Sequence, residues 1–191
     1  MKVWLDYIFK NGISTHLNFF TPEKFLSVQQ DVLNLDYNAS YQPFTNKYGN
    51  RMQAFPCYEK PYNKENNYII TKLENMLQVK IIKFETLARK IVLDEIKQSP
   101  QNFGKYGLIH KDILATDNEP LIAGMIYFEQ SYNGGTAFFH NQQERTPDIN
   151  ISAVPNRLVL YSGAIYHAPC LDYTFKERYT LSFFFRTEKN D

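Results

Sequence analysis

Cysteine is scarce in this chain. Cys57 and Cys170 are far apart and lack metal-like spacing, so neither a disulfide framework nor a zinc knuckle is expected, and both read as ordinary reduced thiols. Long apolar runs are missing as well. No stretch reaches the roughly 20 apolar residues that a membrane helix needs, and the opening segment MKVWLDYIFKNG has no apolar core long enough for a signal peptide. A cytoplasmic protein with no membrane partner is the expectation. Charge of one sign is absent too: 21 Lys and Arg stand against 20 Asp and Glu, a net +1, and the cations are spread out. No basic stripe marks a nucleic-acid footprint. Nor is there an internal repeat, a low-complexity tract or a Pro/Gly/Ser linker, and 191 residues leave room for one core, so a single domain over 1–191 is expected.

Aromatic residues are plentiful. They make up 16% of the chain, with 14 Tyr and 15 Phe, which suits pleated surfaces and predicts a mainly β structure with flanking helices (α+β). The pattern changes near residue 100, predicting helical or irregular support over 1–100 and a β core over 101–191. Thr21-Pro22-Glu23 has the chemistry of a helix start, followed by Phe25, Val28, Val32 and Leu33 at helical spacing. Ile69, Ile70, Leu73, Met76, Leu77, Ile81, Ile82, Phe84, Leu87 and Val92 predict a second, longer helix. Residues 40–63 read as extended and irregular. After Phe103 come short β-like runs at Tyr106–Ile109, Leu121–Phe128, Thr136–Phe139, Arg157–Tyr161 and Tyr179–Phe185, parted by turn signals, as in a sandwich or barrel.

Four histidines limit where metal chemistry could sit. His110-Lys111-Asp112 ends one short run. On a strand, i and i+2 share a face, so this imidazole and carboxylate can converge on one ion, although a strand-end His is also a common surface residue. His167, in Tyr166-His167-Ala168-Pro169, could arrive from a distant strand as a third ligand. Two histidines and one carboxylate on one side of an octahedral ion leave three positions open, as non-haem iron oxygenases require; zinc hydrolases need only one. Arg178 opens an apolar strand, where a guanidinium is costly to bury without an anion and its planar fork matches a carboxylate. A solvent-facing ion pair is the alternative. Thr180 shares its face and could donate to the same anion.

The order of these motifs resembles the prolyl 4-hydroxylase-like branch of the 2-oxoglutarate- and iron(II)-dependent dioxygenases. The likeness runs from Phe103 to Phe185. It rests on His110-x-Asp112, Ile126-Tyr127-Phe128 followed by Asn133-Gly134-Gly135-Thr136, the strand Asn156–Tyr161, His167-x-Pro169 and Glu177-Arg178-Tyr179-Thr180-Leu181. It implies a double-stranded β-helix (jelly roll) and a hydroxylase using Fe(II), 2-oxoglutarate and O2 to release succinate and CO2. By the same resemblance His110, Asp112 and His167 ligate iron, Arg178 anchors the distal carboxylate of the co-substrate, and Tyr127 and Thr180 contact it; packing is the rival role for Tyr127. Two departures are visible: Glu129-Gln130 replaces the family's usual Asn, and the spacing from His167 to Arg178 is slightly long.

A cupin-like metal enzyme without 2-oxoglutarate, and a jelly-roll binding module without chemistry, are the competing readings. The substrate is open between a peptide or protein side chain and a small molecule. Tyr48, Arg51 and Tyr58, in the aromatic segment ahead of the core strands, are candidates for substrate contact, with loop packing as the alternative. Tyr106, on the face predicted for His110, and His140, just past the Gly-Gly turn, are candidates as well. The Gly134-Gly135 pair predicts a hairpin, and Arg157 reads as structural.

Overall fold

The computed structural model describes residues 12–37, 44–45, 51–52, 55–99, 103–112 and 121–188. The described residues form eleven strands and three helices. In the first half come β1 (Ile13–His16), α1 (Pro22–Leu33), the two-residue strands β2 (Phe44–Thr45) and β3 (Arg51–Met52), β4 (Cys57–Pro61), α2 (Asn66–Leu77), β5 (Ile81–Val92) and α3 (Leu93–Gln98). The second half adds β6 (Ile122–Tyr127), β7 (Gly135–Phe139), β8 (Ile149–Ser152), β9 (Leu158–Ser162), β10 (Tyr166–Cys170) and β11 (Glu177–Thr187).

Two antiparallel sheets carry the molecule. The larger has the order β1-β9-β6-β11-β5-β4, the smaller the order β10-β7-β8, and β2 pairs only with β3. From β8 to β11, strands consecutive in sequence alternate between the two sheets, as in a jelly roll. The link from β6 to β7 is a crossing between sheets, so the hairpin expected at Gly134-Gly135 is not formed. Glycine is still required at Gly135, whose φ is +152°; a Cβ there would lie 1.9 Å from the Ile151 carbonyl oxygen.

The start of α1 is as its sequence predicts: Thr21 Oγ1 accepts a hydrogen bond from Lys24 N at 3.3 Å, with Pro22 in the first turn. The long second helix is corrected. It stops at Leu77, where Gln78 takes a left-handed φ of 56°, and the chain resumes as β5. Ile81, Ile82, Thr86, Ile91 and Val92 are β-branched, and pairing with β4 and β11 on both sides outweighs the helical spacing. The expected boundary near residue 100 is not structural either, because β1, β4 and β5 supply three of the six strands of the large sheet.

Alternation along each strand divides the core. Ile122, Ile126, Leu158, Leu160, Leu181, Phe183 and Phe185 face outward and pack under α1 and α2 through Val28, Val32, Ile69 and Leu73. Met125, Tyr127, Val159, Tyr161 and Ile91 face inward, toward Phe138 of the small sheet. Among the described residues no helix is long and apolar enough to cross a membrane.

Candidate metal centre

The chain leading to Asp112 joins the small sheet at isolated points. His110 and His167 exchange both backbone hydrogen bonds, N to O at 3.0 Å and 2.9 Å, and Asp112 N donates to Gly163 O at 3.0 Å. The main chain thus brings a residue from β10 beside two residues remote in sequence. Each imidazole is then aimed by its own strand: His110 Nδ1 lies 2.8 Å from Leu108 O and His167 Nδ1 lies 3.0 Å from Ile165 O. A carbonyl only accepts, so Nδ1 carries the proton in each neutral ring, and Nε2 keeps its lone pair.

Both Nε2 atoms face Asp112, at 3.7 Å from Oδ1 for His110 and 3.4 Å from Oδ2 for His167, and one ligand atom from each of the three residues lies within 4.8 Å of the others. Ligand atoms around one octahedral ion stand about 3 Å apart, so little movement separates this cluster from a ligand set. Burial pushes His167 down to about 4, with Asp112 pulling the other way, so its ring is neutral at neutral pH. Asp112 Oδ2 is buried without a hydrogen-bond donor. The Tyr161 hydroxyl reaches His167 Nε2 but leaves this carboxylate oxygen facing acceptors, and a cation resolves that conflict. The residues present fit a divalent metal ion.

Beside the cluster lies a cavity of about 170 Å³. Its lining includes His110, His167, Thr136, Met125, Arg178 and Thr180. Arg178 is 1% exposed, and among the described residues no carboxylate lies within ion-pair distance. Its neighbours are the Met125 sulfur, 3.5 Å from Nη2, and the rings of Tyr127 and Tyr132 at 5.6 Å and 5.8 Å; Nε has no acceptor. A buried, unpaired guanidinium in a cavity wall fits an anionic ligand such as the far carboxylate of 2-oxoglutarate. Thr180 shares that wall. The Tyr127 hydroxyl is 2.7 Å from Thr136 Oγ1 and lies with the Arg178 guanidinium over its own ring. Glu129, at the family's Asn position, accepts from the backbone N–H of Tyr179.

Of the proposed substrate contacts, Tyr58, Tyr106 and His140 are described, and they are not gathered here. Tyr106 turns to the outer side of the small sheet, its ring 5.4 Å from Phe139. Tyr106 pairs with Cys170 and His110 with His167, so four residue steps on one strand span three on the other and the extra residue reverses the face. Gly107 permits this, since a Cβ there would meet Pro169 Cγ at 2.7 Å and the Phe55 ring at 2.8 Å. Tyr58 turns away from the cavity, its hydroxyl 2.9 Å from Glu95, while its neighbours Cys57 and Glu59 line the cavity. His140 is exposed at the end of β7. Arg51 forms part of β3, its side chain lies outside the described residues, and Tyr48 lies wholly outside them.

Sequence reasoning missed several residues of the site. Tyr161, 2% exposed, has its hydroxyl 3.2 Å from His167 Nε2; Thr136 holds the Tyr127 hydroxyl; Arg89 and Glu59 line the cavity. Reading residues 81–92 as a strand would have put Arg89 on one face with Ile91, opposite Thr180 and Arg178.

No family model matches the chain, and no curated protein matches it. Solved structures do. A prolyl-4-hydroxylase from Pseudomonas putida superposes with a TM-score of 0.64 at 13% identity, covering 98% of this chain and 99% of that one. A prolyl hydroxylase from Trichoplax adhaerens, in complex with a hypoxia inducible factor oxygen degradation domain peptide fragment, gives 0.59 at 14% identity, over 97% and 90% of the two chains. HygX from Streptomyces hygroscopicus, with nickel, 2-oxoglutarate and hygromycin B bound, gives 0.58 at 9% identity, over 96% and 85%. Identities this low speak for the fold: the chain has the jelly roll of the prolyl 4-hydroxylase-like 2-oxoglutarate oxygenases.

Proposed function

We propose that this chain is a single-domain Fe(II)- and 2-oxoglutarate-dependent dioxygenase that hydroxylates a C–H bond, with release of succinate and CO2. The observation that carries the reading is one cavity with two kinds of unmet demand. At one end three metal-ligand atoms converge with Asp112 Oδ2 unpaired, and at the other a buried guanidinium has no anion.

His110, Asp112 and His167 would hold the iron. When bound, the ferrous ion supplies oxygen activation and chelation of the keto-acid end of the co-substrate. Arg178 binds the far carboxylate, with Thr180 beside it and the Tyr127–Thr136 hydroxyl pair adjoining the guanidinium. The apolar wall made by Met125, Ile91 and Ala168 excludes water from the reacting end. The fold is known in complexes with a peptide fragment and with hygromycin B, so both a peptidyl and a small-molecule substrate stand within the proposal.

Anaerobic titration with iron(II) and then 2-oxoglutarate tests this. The wild type should develop the visible metal-to-ligand charge-transfer band, and Asp112→Ala should lose both iron uptake and the band. A wild type that takes up iron but never forms the band would rule the reading out.

A further inference from the structure

A second arginine in the cavity has no part in the scheme above. Arg89 sits on β5 directly opposite Thr180. Its Nε stands 2.7 Å from Glu59 Oε1, yet the N–H points off that line and makes no hydrogen bond. Its carbon centre lies 5.4 Å from the Phe184 ring, and among the described residues no charged group other than Glu59 forms an ion pair with it. The side chain is 19% exposed. Nε is thus buried without an aligned acceptor, which is costly for a guanidinium.

Its position gives that cost a meaning. Arg89 and His110 both line the inner cavity and also an outer groove of about 690 Å³ that runs along Asp112. Arg89 therefore stands where an incoming molecule passes from solvent to the metal. Lys83, Lys111 and Arg186 line the same groove, against Glu85 as the one lining carboxylate besides Asp112 among the described residues. Cations outnumber carboxylates in this lining, a balance that favours an anion over a cation.

We propose that Arg89 receives the acidic group of an anionic substrate, a carboxylate or phosphate, and so holds the carbon to be oxidised beside the metal cluster. Glu59 is the resident counter-ion that the substrate acid displaces. Its contact is off-axis and its side chain is 44% exposed, so it gives way to a planar acid that offers two aligned acceptors. The inference rests on the oxygenase reading and adds the substrate class to it.

The test uses the anaerobic iron and 2-oxoglutarate complex of the whole chain, with perturbation of the charge-transfer band as the binding readout. The probes are N-acetylglutamate against its dimethyl ester, and phosphoserine against serine, at millimolar concentration. At least one acid should perturb the band while its uncharged counterpart does not, and the pair that responds identifies the acid as carboxylate or phosphate. Arg89→Leu should weaken that binding about tenfold to a hundredfold, the worth of a charge-assisted bidentate contact. Glu59→Gln should strengthen it, because the competing carboxylate is gone. The two variants move in opposite directions, so a general loss of folding cannot imitate the result. Equal responses to acid and ester, no response to either acid, or unchanged affinity in Arg89→Leu would each overturn the proposal while leaving the oxygenase reading intact. If Arg89→Leu loses the band itself, Arg89 serves the co-substrate and the proposal is wrong. A wild type without the band takes both down.

Discussion

On β11, Leu181, Phe183 and Phe185 turn outward under the helices, while Arg178, Thr180 and Ser182 turn inward toward the cavity. The outward set packs into an apolar cluster, and Thr86, the polar residue opposite Phe183, is hydrogen-bonded to Asn66. The inward set leaves Arg178 Nε and Ser182 Oγ buried without partners, near Asp112 Oδ2 in the same condition. Contacts that hold the fold and groups that await a ligand alternate along one strand. The comparison teaches that the outer face carries stability, and the inner face gives some of it up to keep binding groups in place.

The widest gap between the faces should appear at Phe183. Phe183→Ala leaves a void under α1 and α2, and we expect a loss of about 3–5 kcal/mol in denaturant unfolding; a loss below about 1 kcal/mol would mean the outer face is not the stabilising one. Acid should next weaken the inner face. His167 titrates near 4 in the fold against 6.5 in a model compound, so the unfolded chain takes up the proton first. Its contribution is whole above pH 6.5 and is lost as pH falls toward 4, on the order of 3 kcal/mol for the metal-free protein. Unfolding free energies of wild type and His167→Leu across that range should differ in slope, and parallel curves would contradict the shift.

Arg178→Met should separate the two kinds of contribution. Removing a buried unpaired charge leaves the ligand-free protein as stable as before or more so, while 2-oxoglutarate affinity, read from the charge-transfer band, falls about tenfold to a hundredfold. Destabilisation with unchanged affinity would place Arg178 among the structural groups. The smallest effect belongs to Ser182→Ala, which deletes a buried hydroxyl without a partner. A gain of roughly 0.5 kcal/mol in thermal unfolding is expected, and a clear loss would reveal a hydrogen bond at Ser182.

The second half of the chain was the more legible in sequence. Ile122–Tyr127 and Leu158–Ser162 are fully buried strands in a chain with few competing patterns, and the spacing of His110 and Asp112 is what a strand end needs to present two ligands. Residues 81–92 were not legible, because Lys83, Glu85, Thr86, Arg89 and Lys90 do not alternate strictly with the apolar residues, and the apolar set satisfies helical spacing equally well. That ambiguity hid Arg89. The reversal between Tyr106 and His110 was invisible for another reason: an extra residue in one strand is a property of the pair, and only the partner at Pro169 and Cys170 reveals it. Tyr58 and Glu59 illustrate register, since the neighbour of the residue singled out is the one facing the cavity.

The mutual backbone bonds of His110 and His167 have a consequence for ion selection. Neighbours fixed by their own amides need no cargo to assemble them, and a pocket that does not reshape has little means to refuse a poor guest. Intrinsic preference along the first-row divalent series then favours nickel, copper and zinc over iron. On the proposed reading, which ion the site takes is decided by what its surroundings supply, and recombinant material purified in air would have to be stripped of competing ions before iron is added.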